Sequence, residues 1–204
     1  MHVRINDVTV SPDRIDELGD ALANKARPVV LAQDGCEGLL CVADRATGNC
    51  SIVSLWSSKQ QLDASESGVA GIRSETVDAV GAKLNSVTTA EVLREVIGQP
   101  TQVGSRGRVV RLTAPAGSAG QMVEFYDAEA VPRYQSQAGF LNARLIGSED
   151  GTRFTAVSHW LDDASLKASE ASSSALREQV TAAVAGSSID GVSSGEIIFI
   201  ERTS

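Results

Sequence analysis

The sequence predicts an α+β fold in which two similar halves each run β-α-β-β-α-β. Three observations predict it: a pattern stated twice, a length of 204 residues that suits two small domains, and a hydrophobic period that switches between two and 3.6 along each half. The first statement is Gly35-Cys36-Glu37-Gly38-Leu39-Leu40, a polar turn from Asp44 to Asn49, and Ile52-Val53-Ser54-Leu55-Trp56. The second is Gln137-Ala138-Gly139-Phe140-Leu141, a polar turn from Ser148 to Thr152, and Phe154-Thr155-Ala156-Val157-Ser158-His159-Trp160. Both tryptophans of the chain fall in this pattern, and each precedes a polar or acidic opening to a helix, Ser57-Ser58-Lys59-Gln60 or Leu161-Asp162-Asp163-Ala164.

In the first half, Val3, Ile5, Val8 and Val10 alternate with polar residues as in a strand, with a slip at Asn6-Asp7. Ser11-Pro12-Asp13 supplies a cap and a proline at the first helical position, and Ile15, Leu18, Leu22, Ala26 and Val29 follow at helical spacing. Pro28 is expected to kink or end that helix. Two strands lead to Trp56. A second helix then carries Val69, Ile72, Thr76, Val80 and Leu84 on one side, and Glu91 to Ile97 reads as the last strand.

The second half repeats the order. Val109 to Thr113 is a strand, Met122, Phe125, Tyr126 and Ala130 share a helix face ending near Pro132, and Leu141 to Ile146 and Phe154 to Trp160 are strands. A helix with Leu176, Val180 and Val184 precedes a final strand, Glu196 to Arg202. This is the split β-α-β order of a ferredoxin-like fold. We therefore expect ferredoxin-like repeats at 1–98 and 108–204, joined by a Gly- and Ser-rich linker at 99–107. Helices cover one face of such a sheet and leave the other bare, so two tethered copies can close their bare faces into an intramolecular α+β barrel. Such a chain is expected as a monomer with pseudo-twofold symmetry or as a homodimer.

Composition narrows the function classes. With 42% apolar and 22% charged residues the chain is globular. A net charge of −8 gives no electrostatic footprint for nucleic acid. No apolar run reaches membrane-spanning length and no signal peptide opens the sequence, so no membrane partner and a cytoplasmic location are expected. Cys36, Cys41 and Cys50 lack metal or redox spacing, and only His2 and His159 could join them. Reduced thiols, two of them on strands, and neither a metal nor another cofactor are the expectation.

Gly139-Phe140-Leu141, the turn Glu149-Asp150-Gly151-Thr152 and His159-Trp160 before Asp162-Asp163-Ala164 carry a resemblance, as do Gly38-Leu39-Leu40 and Leu55-Trp56-Ser57-Ser58-Lys59-Gln60. These residues resemble the dimeric α+β barrel proteins of the antibiotic biosynthesis monooxygenase type, here as a tandem, two-repeat chain. One branch of that family oxidises polyketide aromatic rings to quinones without metal or flavin, using an Asn before the Trp, a Tyr after it and an Arg on the following helix. The resemblance places Arg73 and Arg177, each 17 positions after its Trp, in the Arg role. The Asn positions hold Ile52 and Ala156 and the Tyr positions Leu62 and Leu166. A haem-degrading branch uses a first-strand Asn, which Asn6 matches. Its second Trp corresponds to Ser65 or Ser169 and its iron-binding His to Ser74 or Glu178, so haem degradation fits less well.

The candidate residues follow from this. Trp56 and Trp160 either stack on a flat ligand inside the barrel or are the largest core residues of their halves. Arg73 and Arg177 sit beside the apolar stripe of their helices, where they either stabilise a phenolate or enolate or pair with Glu75 or Glu178. Asn6 offers an amide to the interior or marks a strand irregularity. His159 replaces Leu55 of the first copy and therefore faces away from Trp160, as a base or as a structural residue. Tyr126 and Tyr134 are ligand donors or packing residues, and with the aromatic residues of the second half they make it the better candidate pocket. The leading expectation is a barrel protein that binds a small aromatic or polyketide-like molecule, with cofactor-independent monooxygenation as its chemistry; the alternative is a non-catalytic binding or scaffold protein.

Overall fold

The structure, a computed structural model, describes residues 1–203. Element order is β1 (His2–Thr9), α1 (Ile15–Ala21), a π-turn (Leu22–Ala26), α2 (Arg27–Val30), β2 (Cys36–Ala43), β3 (Asn49–Trp56), α3 (Lys59–Ala64), α4 (Glu66–Ala79) and β4 (Lys83–Ile97). The same order repeats as β5 (Arg106–Thr113), α5 (Ala119–Phe125), a π-turn (Tyr126–Ala130), α6 (Val131–Gln135), β6 (Phe140–Gly147), β7 (Arg153–Trp160), α7 (Asp163–Ala168), α8 (Glu170–Ala183) and β8 (Ser188–Arg202). Hydrogen-bonded strands follow the order β1-β3-β2-β8-β5-β7-β6-β4, which closes into a barrel. The fold is thus two ferredoxin-like repeats forming an intramolecular α+β barrel. Among the described residues no helix is long and apolar enough to cross a membrane.

The chain divides into two compact units. Unit 1 is Met1–Thr89 with the chain from Gly195 onward, and unit 2 is Ala90–Ser194. The last strands are longer than the Glu91–Ile97 and Glu196–Arg202 segments read from the sequence, because Lys83–Thr89 and Ser188–Ser194 are too polar to register as strand by alternation. β4 begins in unit 1, where Asn85 and Ser86 bond Thr9 and Asp7, and ends in unit 2 against β6. β8 begins in unit 2, where Ser188 bonds Thr113, and ends in unit 1 against β2. Leu84 is consequently a strand residue of β4 and not part of the helical stripe. β8 also delivers Phe199 to the core of unit 1, whose own half of the sequence has no Phe or Tyr.

Within unit 1, β1 pairs with β3 in unbroken register from His2 opposite Trp56 to Thr9 opposite Asn49. The slip read at Asn6 is therefore no bulge. The face of β1 turned to the helices is Arg4, Asn6 and Val8, continued by Val10 just beyond the strand, so two polar residues occupy positions where alternation calls for apolar ones. The irregularity lies in β2 instead, between Cys36 and Gly38. All three cysteines are free, buried and on strands, one more than the sequence suggested.

The first helix of each repeat carries its proline without ending there. Pro28 has no N–H to donate, and the chain absorbs the loss with a π-turn in which the Arg27 N–H reaches Leu22 O. Pro132 does the same through the Val131 N–H and Tyr126 O. The wider turn advances the buried stripe by one residue, so Val30 is buried where simple periodicity selects Val29. In the sequence, the repeats align best with Gly35 opposite Gly139, not Gly38 opposite Gly139. Both glycines have positive φ (73° and 78°), and both accept a bond from the residue after the Trp, Ser57 or Leu161. That positive φ disfavours any side chain at both sites, and a Cβ at Gly139 would also lie 2.1 Å from Ser165 Oγ. The helices after each Trp are capped as their sequences suggest, by Ser58 Oγ accepting from Gln61 N–H (3.2 Å) and Asp162 Oδ1 from Ser165 N–H (2.8 Å).

Candidate functional site

Each unit holds a cleft between its sheet and its helices, and the two clefts are made at equivalent places in the repeat. Cleft 1, in unit 1, encloses about 450 Å³ including its mouth; its polar lining is Arg4, Asn6, Ser54, Arg73 and Thr76 over an apolar floor. Cleft 2, in unit 2, encloses about 440 Å³ and is lined by Met122, Tyr126, Tyr134, Ser173 and Arg177 among apolar side chains. The two π-turns supply part of both walls, through Leu22 and Ala26 or Tyr126 and Ala130.

Trp56 and Trp160 are fully buried on the helix-covered side, and neither lines a cleft. Their indole N–H groups donate back to Ser54 Oγ (2.9 Å) and Ser158 Oγ (3.0 Å). Arg4 lies over the Trp56 ring at 5.5 Å, while Trp160 meets the edges of Tyr134 and Phe140. Tyr134 stacks on Phe140 with centroids 5.7 Å apart, which holds its ring at the end of cleft 2.

Arg73 and Arg177 both line their clefts, at the border of core and solvent. Their carboxylate partners are not Glu75 and Glu178 but Glu66 and Glu170, two helical turns back on the same face. Each of those carboxylates also holds a second arginine that the sequence reading did not single out. In unit 1, Arg4 donates to Ser65 Oγ (3.0 Å) and Leu62 O (2.7 Å) and lies 3.1 Å from Glu66. In unit 2, Arg108 donates to Ser169 Oγ (2.7 Å) and Leu166 O (2.8 Å) and lies 2.8 Å from Glu170. The signal that would have found them is an Arg on the core-facing side of the first strand in both copies. Burial pulls Arg4 and Arg108 below the ordinary guanidinium value although Glu66 and Glu170 oppose it. Glu66 and Glu170 are held below the usual carboxylate range, first by the bonds from Arg73 and Arg177. Ser65 and Ser169, the positions of the helix Trp in the haem-degrading pattern, are thus arginine ligands here.

Asn6 is buried on the wall of cleft 1, where its Nδ2 donates to Ile52 O at 3.2 Å and its Oδ1 has no partner. Tyr126 is 3% exposed on the wall of cleft 2, and its hydroxyl also lacks a partner. Burial raises the Tyr126 phenol well above its ordinary value and pushes Tyr134 up to about 12, so both are neutral donors near neutral pH. His159 faces away from Trp160, as the strand period requires. Its Nδ1 lies 3.2 Å from Thr101 Oγ1, which also receives the amide of Asn142, so His159 is outside both clefts.

Two units of this kind, each with a cleft between helices and sheet, define a tandem α+β barrel. The profile of the antibiotic biosynthesis monooxygenase family matches residues 1–69, within the first repeat, and the second repeat has the same order of elements. A protein of Fusobacterium nucleatum described as a candidate monooxygenase superposes with a TM-score of 0.72 at 13% identity, covering 98% of this chain and 94% of its own. An anthrone oxidase-like protein superposes with a TM-score of 0.59 at 16% identity, covering 98% and 93%. In sequence, an uncharacterized protein of Mycobacterium tuberculosis is 26% identical over 119 residues, 58% of this chain. That match spans 53% of the relative's own length.

Proposed function

We propose that this chain binds a flat, mostly apolar small molecule of aromatic or polyketide type in cleft 2. The observation that carries the reading is an unpartnered, buried Tyr126 hydroxyl in a cleft that Arg177 also lines. An unmet donor in an apolar setting is costly, and a ligand carbonyl that accepts from it offsets that cost. Arg177 gives bonds to Ser173 (2.9 Å) and Glu170 (2.7 Å), and a guanidinium has five donors to share, so it can also face a ligand oxygen. Tyr134, stacked on Phe140 beside Trp160, closes the aromatic end of the cleft.

The chemistry that fits this set is oxidation of an anthrone-type ring by dioxygen. Loss of a ring proton gives a phenolate that Arg177 stabilises; dioxygen then converts the ring CH2 to a carbonyl, with one oxygen retained and the other released as water. One structural relative is named an anthrone oxidase-like protein and another a candidate monooxygenase, which supports this reading. The second reading, a binding or scaffold protein without turnover, is favoured by the apolar Ala156 and Leu166 at the positions of the oxidising branch's Asn and Tyr. The reduced, buried thiols are compatible with the cytoplasmic location expected from sequence.

The test is calorimetric titration with 9-fluorenone and with anthrone, together with oxygen-electrode measurements on anthrone. Binding that weakens in Tyr126→Phe and in Arg177→Met supports the cleft. Oxygen uptake selects the monooxygenase reading and its absence selects the scaffold. No binding of either compound at millimolar concentration would remove the proposal.

A further inference from the structure

We propose that Ser173 is the specificity-determining residue of cleft 2: its hydroxyl draws Arg177 off a two-pronged grip on Glu170 and joins it as a second donor to an oxyanion, so the cleft prefers a flat ring system in its phenolate form. The inference rests on the reading of cleft 2 given above and adds to it the residue that selects the ligand's charge.

The first repeat shows the arrangement without the hydroxyl. Val69 stands four residues before Arg73 as Ser173 stands four before Arg177, and both line their clefts. Val69 is 4% exposed and Ser173 5%, so an apolar residue satisfies the fold at this place and packing does not call for a hydroxyl. Beside Val69, Arg73 closes on Glu66 with both prongs, Nη1 on Oε1 (2.9 Å) and Nη2 on Oε2 (2.8 Å). Arg4 also reaches that Oε2, at 3.1 Å. Beside Ser173, Arg177 keeps one prong on the carboxylate, Nη2 on Glu170 Oε1 (2.7 Å), and gives the other to Ser173 Oγ (2.9 Å). Glu170 Oε2 is left to Arg108, at 2.8 Å. A neutral oxygen has thus replaced half of the carboxylate contact, and the Arg177 charge is less fully cancelled than that of Arg73.

The Ser173 hydroxyl also has a proton to give. A buried hydroxyl in a helix commonly donates to a carbonyl in the preceding turn. Thr76 does so to Ile72 O (2.6 Å) and Ser169 to Leu166 O (2.7 Å). Ser173 makes no such bond: its oxygen accepts from Arg177, and its proton meets no acceptor among the described residues. The hydroxyl and the second N–H of Arg177 Nη1 are therefore adjacent donors in the lining of cleft 2, which contains no carboxylate. A charged oxygen gains more from such a pair than a neutral one. With Tyr126 left to serve a carbonyl, the ligand class is a fused aromatic ketone that carries an ionisable phenol.

Alizarin, a hydroxylated anthraquinone whose colour changes when its phenol ionises, reports the selected form directly. The groups around the Ser173 hydroxyl are Arg177 and Glu170 on α8, Arg108 on β5, Tyr126 on its π-turn and Tyr134 on α6. Glu170 is held below the usual carboxylate range, both phenols lie above the usual tyrosine value and guanidinium groups stay charged, so from about pH 5 to pH 9 the dye alone titrates among them. Spectroscopic titration with the full chain should place the ionisation of bound alizarin about one pH unit below that of the free dye. In Ser173→Val, which copies the first repeat, that midpoint moves back toward the free value. The ionised dye then binds about tenfold more weakly, the value of one charge-assisted bond, while the neutral dye loses much less. Ser173→Thr, which keeps the hydroxyl, restores the midpoint, and Ser173→Ala gives the same reading as the valine variant if the latter does not fold. A role in packing alone would weaken both forms alike and leave the midpoint in place; that result overturns the proposal, as does a bound midpoint equal to the free one in the unaltered protein. No binding of alizarin, or binding indifferent to Tyr126→Phe and Arg177→Met, defeats the cleft 2 reading itself and this inference with it.

Discussion

The shared carboxylates make a direct test of how the clefts are held. In unit 2, Glu170 lies 2.8 Å from Arg108 and 2.7 Å from Arg177, and the Arg108 side chain is only 5% exposed. Glu170→Gln keeps the shape and removes the charge. Two unit charges about 4 Å apart attract by about 4 kcal/mol at an effective dielectric of 20. Because the Glu170 side chain is 51% exposed, solvent screens much of this. Arg108 keeps its bonds to Ser169 and Leu166 but loses its counter-charge, and it then faces Arg177 with like charge. We expect a loss of about 2 kcal/mol, below the 3–5 kcal/mol of a fully buried pair. Equilibrium urea unfolding at pH 7 measures it. The pH dependence follows with a fixed sign. Glu170 has a folded value below the ordinary 4.5, so its contribution is complete above that value and is lost as pH falls through the depressed one. The variant should therefore lose less stability than the unaltered protein on going from pH 5 to pH 3. A change under about 0.5 kcal/mol at pH 7, on the scale of an ordinary surface substitution, with an unchanged acid limb, would refute the reasoning.

Other expectations are simpler. Trp56→Ala should destabilise unit 1 by about 3–5 kcal/mol, since a fully buried indole, its Ser54 bond and the Arg4 contact are lost together; thermal unfolding would show it, and a minor effect would mean the indole is not core. Tyr126→Phe should leave the ligand-free protein as stable or about 1 kcal/mol more stable, because the hydroxyl it removes has no partner; calorimetry checks this, and a clear loss would reveal a partner for the phenol. Cys36, Cys41 and Cys50 are buried and should react with a thiol reagent only on unfolding; fast labelling of the native protein would contradict their placement.

Much of the fold is legible in the sequence because duplication states every element twice. The Trp-ended strands, the capped helices after them and the Pro-bearing first helices each recur, so a weak signal in one copy is supported by the other. The last strands were only half legible, since Lys83–Thr89 and Ser188–Ser194 are polar and largely exposed. The one-residue shift from Val29 to Val30 was hidden because a π-turn leaves no mark in a 3.6 period. The site was harder to read. Arg73 and Arg177 are legible through the resemblance, which places each 17 positions after its Trp, but Arg4 and Arg108 look like the polar beat of an alternating strand. Their burial depends on Ser65, Ser169 and two helix carbonyls far away in sequence. Asn6 was noticed because it broke the alternation; that break marks a core-facing polar residue rather than a bulge.

The central claim is that cleft 2 holds a flat small molecule. Native mass spectrometry and an absorbance spectrum of the protein purified from its own host, beside a Tyr126→Phe, Arg177→Met variant, test that most directly. The account predicts a co-purifying aromatic species on the unaltered chain that is reduced or lost in the variant. A ligand-free mass and a featureless visible spectrum for both proteins, with no uptake of fluorenone or alizarin when either is added back, would contradict it.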